Sequence, residues 1–153
     1  MGLFSTTRSY FLFSSLHLVC FALALTVCGL YGKDLGTANH HADSRWVYAV
    51  VVGTLSAVTC IVYSVPFVLR HAGIVATAWS CILFILWVAV FGIFGALFIK
   101  QNPRGNGDIQ RMKNAVWVDL ANALLWLISS LALLGYWWKH RDPRSQFTGR
   151  AHV

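Results

Sequence analysis

Residues Val75–Ile99 read VATAWSCILFILWVAVFGIFGALFI, an unbroken apolar stretch without a charged side chain. A helix rises 1.5 Å per residue. A stretch of this length therefore spans more than the ~30 Å of a bilayer's hydrocarbon. Three further runs have the same character: Tyr10–Tyr31, Trp46–Leu69 and Ala115–Trp138. Lipid offers the backbone no hydrogen bonds, so only helices or closed barrels cross it. Barrel strands alternate apolar and polar residues, whereas these runs are continuously apolar. The expectation is an all-α integral membrane four-helix bundle with an M-shaped path.

The rest of the composition agrees. Of 153 residues, 58% are hydrophobic and 11% charged, and Glu is absent; soluble domains carry roughly a quarter charged residues. Aromatic residues mark the run ends: Tyr10 and Tyr31, Trp46 and Tyr48, Trp79, then Tyr136, Trp137 and Trp138. Such rings favour the headgroup level. The net charge of +7 does not point to nucleic acid, because eleven of the twelve Lys and Arg lie between or outside the runs and Arg70 sits at a run's edge. No basic stripe forms a soluble face. The first run exceeds the apolar length of a signal peptide and lacks a small-residue cleavage site, so it reads as a retained helix.

Three parts follow: a short segment 1–9, a transmembrane domain 10–138, and a basic tail 139–153 expected to be disordered. Gly32–Arg45 and Arg70–Ile74 are brief linkers. Lys100–Asn114 carries the breaker signals Asn102-Pro103, Gly105 and Gly107. Pro66 should kink the second helix. An even number of spans puts both ends on one side. Six basic residues then fall on each side (Arg8, Arg70, Lys139, Arg141, Arg144 and Arg150 against Lys33, Arg45, Lys100, Arg104, Arg111 and Lys113), so charge does not set orientation. Met1-Gly2-Leu3-Phe4-Ser5-Thr6 fits the myristoylation pattern, with Gly2 as acceptor.

Cys20, Cys28, Cys60 and Cys81 all lie within apolar runs. Loop disulfides and CxxC chemistry are therefore not expected, and the thiols read as packing groups. Small residues recur at helical spacing in Ala49, Gly53 and Ala57 and in Ala89, Gly92 and Ala96. Such stripes let helix backbones approach in lipid, and both are expected to be packing faces, within the bundle or between subunits. His17 is the one histidine well inside a run, and reads as a hydrogen-bonded packing residue rather than a metal ligand. Asp119 lies about one turn inside the last run, with Asn122, Trp126, Ser130 and Trp137 on its face. A membrane carboxylate should face protein or water. The expectation is an interhelical clamp, with Arg45 or a hydroxyl such as Thr26 as partner among the depth-matched Thr26, Cys28, Tyr31 and Arg45. His17 enters from the opposite side, too far away in depth to pair with it. No nucleophile–base pair, paired carboxylate or phosphate loop appears, so neither catalysis nor a cofactor is expected.

The segment Asn114-Ala115-Val116-Trp117-Val118-Asp119-Leu120-Ala121-Asn122-Ala123-Leu124-Leu125-Trp126-Leu127-Ile128-Ser129-Ser130 resembles the last helix of MARVEL-domain proteins, particularly the fungal type: an Asp, then Asn, then a Leu-rich stretch with Trp. The resemblance implies a tetraspan with both ends in the cytosol. It also implies non-enzymatic roles in membrane apposition, cargo sorting and microdomain organisation. The implied partners are membrane lipids, other membrane proteins or a second copy, at the plasma membrane or an endomembrane. The family's animal junction branch carries loop cysteines that this chain lacks. A different class of function, a small channel or proton-coupled transporter, would draw on Asp119, Asn122 and His17.

Overall fold

The computed structural model describes residues 3–37, 44–65, 73–102, 105 and 107–140. Every regular element among them is a helix: α1 Leu3–Thr37, α2 Ser44–Tyr63, α3 Gly73–Phe98 and α4 Gly107–His140. All four are long and apolar enough to cross a membrane. The chain is a multi-pass membrane protein.

Consecutive helices run antiparallel, as cross-helix contacts show: Cys28 of α1 meets Val50 of α2, Tyr63 of α2 meets Ala76 of α3, and Tyr31 of α1 meets Asp119 of α4. Each helix touches two neighbours, closing the ring α1–α2–α3–α4. The surface turned away from this ring is apolar, including Phe11, Leu12, Leu18, Val75, Ile85 and Leu131. In water such a surface would be an aggregation liability; lipid is its natural solvent. Trp117 and Trp138 stand 62% and 73% exposed on α4. They are about 31 Å apart along the axis at 1.5 Å per residue, which brackets the hydrocarbon thickness.

The helix ends go beyond the apolar runs. α4 starts at Gly107 rather than at Ala115, because polar residues outside the hydrocarbon continue the helix. Asp108 occupies its first turn, where a negative charge is favourable. Arg111 pairs with Asp108 at 3.3 Å, and Gln110 donates to Asn114 at 3.1 Å. The turn before it places Gly105 at φ 82°, a left-handed conformation that glycine adopts without steric cost. α1 likewise runs from Leu3 to Thr37, past both ends of Tyr10–Tyr31. Gly2, Pro66 and the tail from Arg141 onward lie outside the described residues.

The seams differ in width. α3 and α4 make the most extensive backbone approach, and α2 and α3 the sparsest. The sparse seam is bridged by long aromatic side chains whose polar tips find partners. Trp87 Nε1 donates to Ser56 Oγ at 2.7 Å, and Trp79 Nε1 to Thr59 Oγ1 at 3.0 Å. Tyr48 Oη donates to the Leu86 carbonyl at 3.3 Å.

The two small-residue stripes fare differently. Ala49, Gly53 and Ala57 are buried. A Cβ on Gly53 would come within 3.3 Å of the Ala24 carbonyl and 2.7 Å of Cys28 Sγ, so glycine there lets α2 close on α1. Ala89, Gly92 and Ala96 are exposed on α3, on the lipid side, and a Cβ on Gly92 would meet nothing within 4 Å. They are not a packing face of this bundle. The buried face of α3 carries Ala76, Ser80, Leu83, Trp87, Val90 and Phe94. Gly95, next to it, is the glycine at the α4 contact, facing Val116 Cγ1 at 3.8 Å from a built Cβ. Gly53→Val should therefore destabilise the fold by about 1–3 kcal/mol, as overpacking does. Gly92→Val should leave stability unchanged or raised. Reversible unfolding in mixed micelles checks the pair; equal losses would contradict this assignment of faces.

Candidate functional site

The interior polar groups sit mainly on one face of α4. Asp119, Asn122, Trp126, Ser129 and Ser130 are all buried, and their spacing of three or four residues is one helical stripe. α1 presents His17, Cys20, Ala24, Val27 and Tyr31 inward at the same period.

At one end, Tyr31 Oη donates to Asp119 Oδ2 at 2.5 Å, with both residues fully buried. The Tyr31 ring is held in place by a 4.3 Å stack on Phe94 and an edge contact with Trp46 at 5.5 Å. Trp46 in turn packs on Phe94 at 4.9 Å. One hydrogen bond thus draws on all four helices: Tyr31 from α1, Trp46 from α2, Phe94 from α3 and Asp119 from α4.

The expectation of an inward-facing, hydroxyl-bonded carboxylate agrees with this geometry, but the partners expected for it do not. Thr26 is exposed and donates to the Ala22 carbonyl of its own helix at 2.8 Å. Arg45 is exposed in the first turn of α2. Depth alone selected four candidates, and rotation about α1 decides among them. Tyr31 lies on the inward line Cys20, Ala24, Val27, Tyr31, whereas Thr26 points outward. The signal for it in the sequence is this line of small residues ending in a tyrosine that is both depth-matched and at the end of its run.

At the other end stands His17, also buried. Its Nδ1 lies 2.8 Å from the Phe13 carbonyl, so that nitrogen carries the hydrogen. Its Nε2 lies 3.2 Å from Ser129 Oγ, which donates to it when the ring is neutral. The imidazole packs against Phe13 at 4.2 Å, Tyr63 at 5.3 Å and Trp126 at 5.7 Å. Tyr63 Oη donates to the Ala76 carbonyl at 2.7 Å and lies 3.2 Å from Ser80 Oγ. All four helices meet here too. His17 is a packed, hydrogen-bonded side chain about 15 Å from Asp119, taking the rise from Asp119 to Ser129. Among the described residues, no three of His, Cys, Asp or Glu converge to hold a metal ion.

Between the two ends the bonding is incomplete. Asn122 Nδ2 donates to the Val118 carbonyl at 3.3 Å. Asn122 Oδ1, Asp119 Oδ1 and Trp126 Nε1 are buried and have no hydrogen-bond partner among the described residues. Chemically, the stripe can hold helices together, accept hydrogen bonds from a small guest, and donate one from an indole. Comparisons with protein-family models, with curated proteins and with solved structures found no match for this chain.

The Tyr31–Asp119 geometry sets an order of effects. Asp119→Ala orphans the buried Tyr31 hydroxyl and should cost about 1–3 kcal/mol. Asp119→Asn keeps an acceptor and should cost less than about 1 kcal/mol. Asn122→Ala, which removes a bond within its own helix, should cost no more than the ~0.6 kcal/mol average for hydrogen bonds between membrane helices. Thermal unfolding of the three variants in one detergent checks the order; an Asp119→Ala variant as stable as the wild type would break it.

Proposed function

We propose that this chain is a non-enzymatic membrane organiser or trafficking factor of the MARVEL type, acting through its lipid-facing surface and its fold. The observation that carries the reading is the use made of the interior polar groups. Tyr31–Asp119 and His17–Ser129 tie α1 to α4, while Trp87–Ser56, Trp79–Thr59 and Tyr63–Ser80 tie α2 to α3. Each bond joins two helices, the work expected of polar residues that hold a membrane bundle together. The resemblance of residues 114–130 to the last MARVEL helix supports the same reading. On it, the partners are membrane lipids and other membrane proteins or a second copy, with no nucleic acid. The site of action is the plasma membrane or an endomembrane, and both termini are cytosolic.

The transporter reading has one observation in its favour: the unpartnered oxygens of Asp119 and Asn122 inside the bundle. Reconstitution into liposomes separates the two. The organiser reading expects no proton, sodium or potassium flux above that of empty vesicles, and equal traces for wild type and Asp119→Asn. Robust flux abolished by Asp119→Asn would sink it. Orientation has its own test. Epitopes at both ends should be digested by protease added to sealed microsomes of cytosolic-side-out orientation; protection of either end would contradict the cytosolic assignment.

A further inference from the structure

We infer that the interior of the bundle beside α4 binds water, held by Asp119 Oδ1, Asn122 Oδ1 and Trp126 Nε1. All three residues are fully buried, and none of these atoms has a partner among the described residues. Leaving such groups bare is costly: each unpaired buried donor or acceptor costs about 1–3 kcal/mol, and lipid offers no compensation. The atoms lie on one stripe, with Asp119 and Asn122 about 4.5 Å apart along the axis and Trp126 about 6 Å further on, at 1.5 Å per residue. They therefore lie along one inward-facing stripe of α4.

The chemistry of the three atoms selects the guest. Asp119 Oδ2 accepts from Tyr31, so Oδ1 needs a donor when the group is ionised and an acceptor when it is protonated. The orientation of the Asn122 amide is fixed by its bond to the Val118 carbonyl, so the side turned inward is an oxygen, which also needs a donor. Trp126 Nε1 has only a hydrogen to give, and needs an acceptor. Water donates twice and accepts as well, and buried waters typically make about three such bonds. A bare monovalent cation would serve the two oxygens but would leave the indole N–H facing a positive centre. Trp87 shows what a satisfied indole looks like in the same bundle: it is equally buried, and its Nε1 donates to Ser56. This inference concerns the guest of the interior and stands whether or not the organiser reading holds.

The test uses the full chain with nitrogen-15 tryptophan in bicelles. Magnetisation transfer from water should reach the Trp126 indole N–H, a signal identified by its disappearance in Trp126→Phe. It should not reach the Trp87 indole N–H. Asn122→Leu should weaken or abolish the water transfer to Trp126. No transfer to Trp126 in the wild type, or transfer equal to that at Trp87, would overturn the inference, and this comparison needs no variant of Asp119 or Asn122 to fold. A Trp126 signal that shifts with sodium but not with N-methylglucamine, and receives no transfer from water, would overturn it in favour of a cation.

Discussion

A single hydrogen bond, from the Tyr31 hydroxyl to the Asp119 carboxylate at 2.5 Å, is the constraint on which the bundle depends. A carboxylate within a membrane helix costs a few kcal/mol when it faces lipid, so α4 must turn this face inward. Once it does, Asn122, Trp126, Ser129 and Ser130 turn inward with it, since they share its stripe. The tyrosine that meets the carboxylate is held by Phe94 and Trp46, which fixes the rotation of α2 and α3 at that level. The rotations of all four helices are thus linked through one polar contact. In a lipid solvent, burying apolar side chains gives no hydrophobic preference for the inside, so polar contacts and close packing at small residues such as Gly53 discriminate inside from outside.

The rest of the interior repeats this logic at other depths. His17, Tyr63, Ser80 and Ser129 form a second four-helix junction toward the opposite membrane face. Between them, Trp87 and Ser56 tie α2 to α3. The choice of residue follows the width of the seam. Where α2 closes on α1, Gly53 and Ala49 allow backbone contact, and added bulk would strike Ala24 and Cys28. Where α2 and α3 stand apart, Trp79, Trp87, Tyr48 and Tyr63 fill the gap. Large aromatic residues suit such a gap because they supply area, but their N–H and O–H groups then require partners, and Ser, Thr and backbone carbonyls on the facing helix provide them.

What could be read in the amino-acid sequence follows from how each signal arises. The four spans were legible because bilayer thickness sets a minimum apolar length, and Val75–Ile99 exceeds it without interruption. Helix ends were not, because hydropathy reports where lipid is rather than where the helix is. The polar turns from Gly107 to Asn114 belong to α4 all the same. That Asp119 faces inward was legible from the cost of exposing it. Its partner was only narrowed to four depth-matched residues, Tyr31 among them, because the rise per residue gives depth and not rotation about α1. Arg45 and Thr26 have the right depth and the wrong azimuth. Spacing alone likewise does not say that Ala89, Gly92 and Ala96 lie on the outer face of α3, outside the contacts of this bundle. Spacing finds a stripe, but only an anchored polar residue shows which way the stripe points.

A double-mutant cycle on Tyr31 and Asp119 addresses the central claim most directly. It uses wild type, Tyr31→Phe, Asp119→Leu and the double variant, each unfolded reversibly in the same mixed micelles. If the bond orients the bundle, the two substitutions are strongly non-additive. The coupling energy should be about 1–2 kcal/mol, in the range found for residues in direct contact, because either single change leaves a buried polar group alone and the double change removes both. Additivity within about 0.5 kcal/mol, the behaviour of independent sites, would contradict the account, since the two side chains would then not depend on each other for stability.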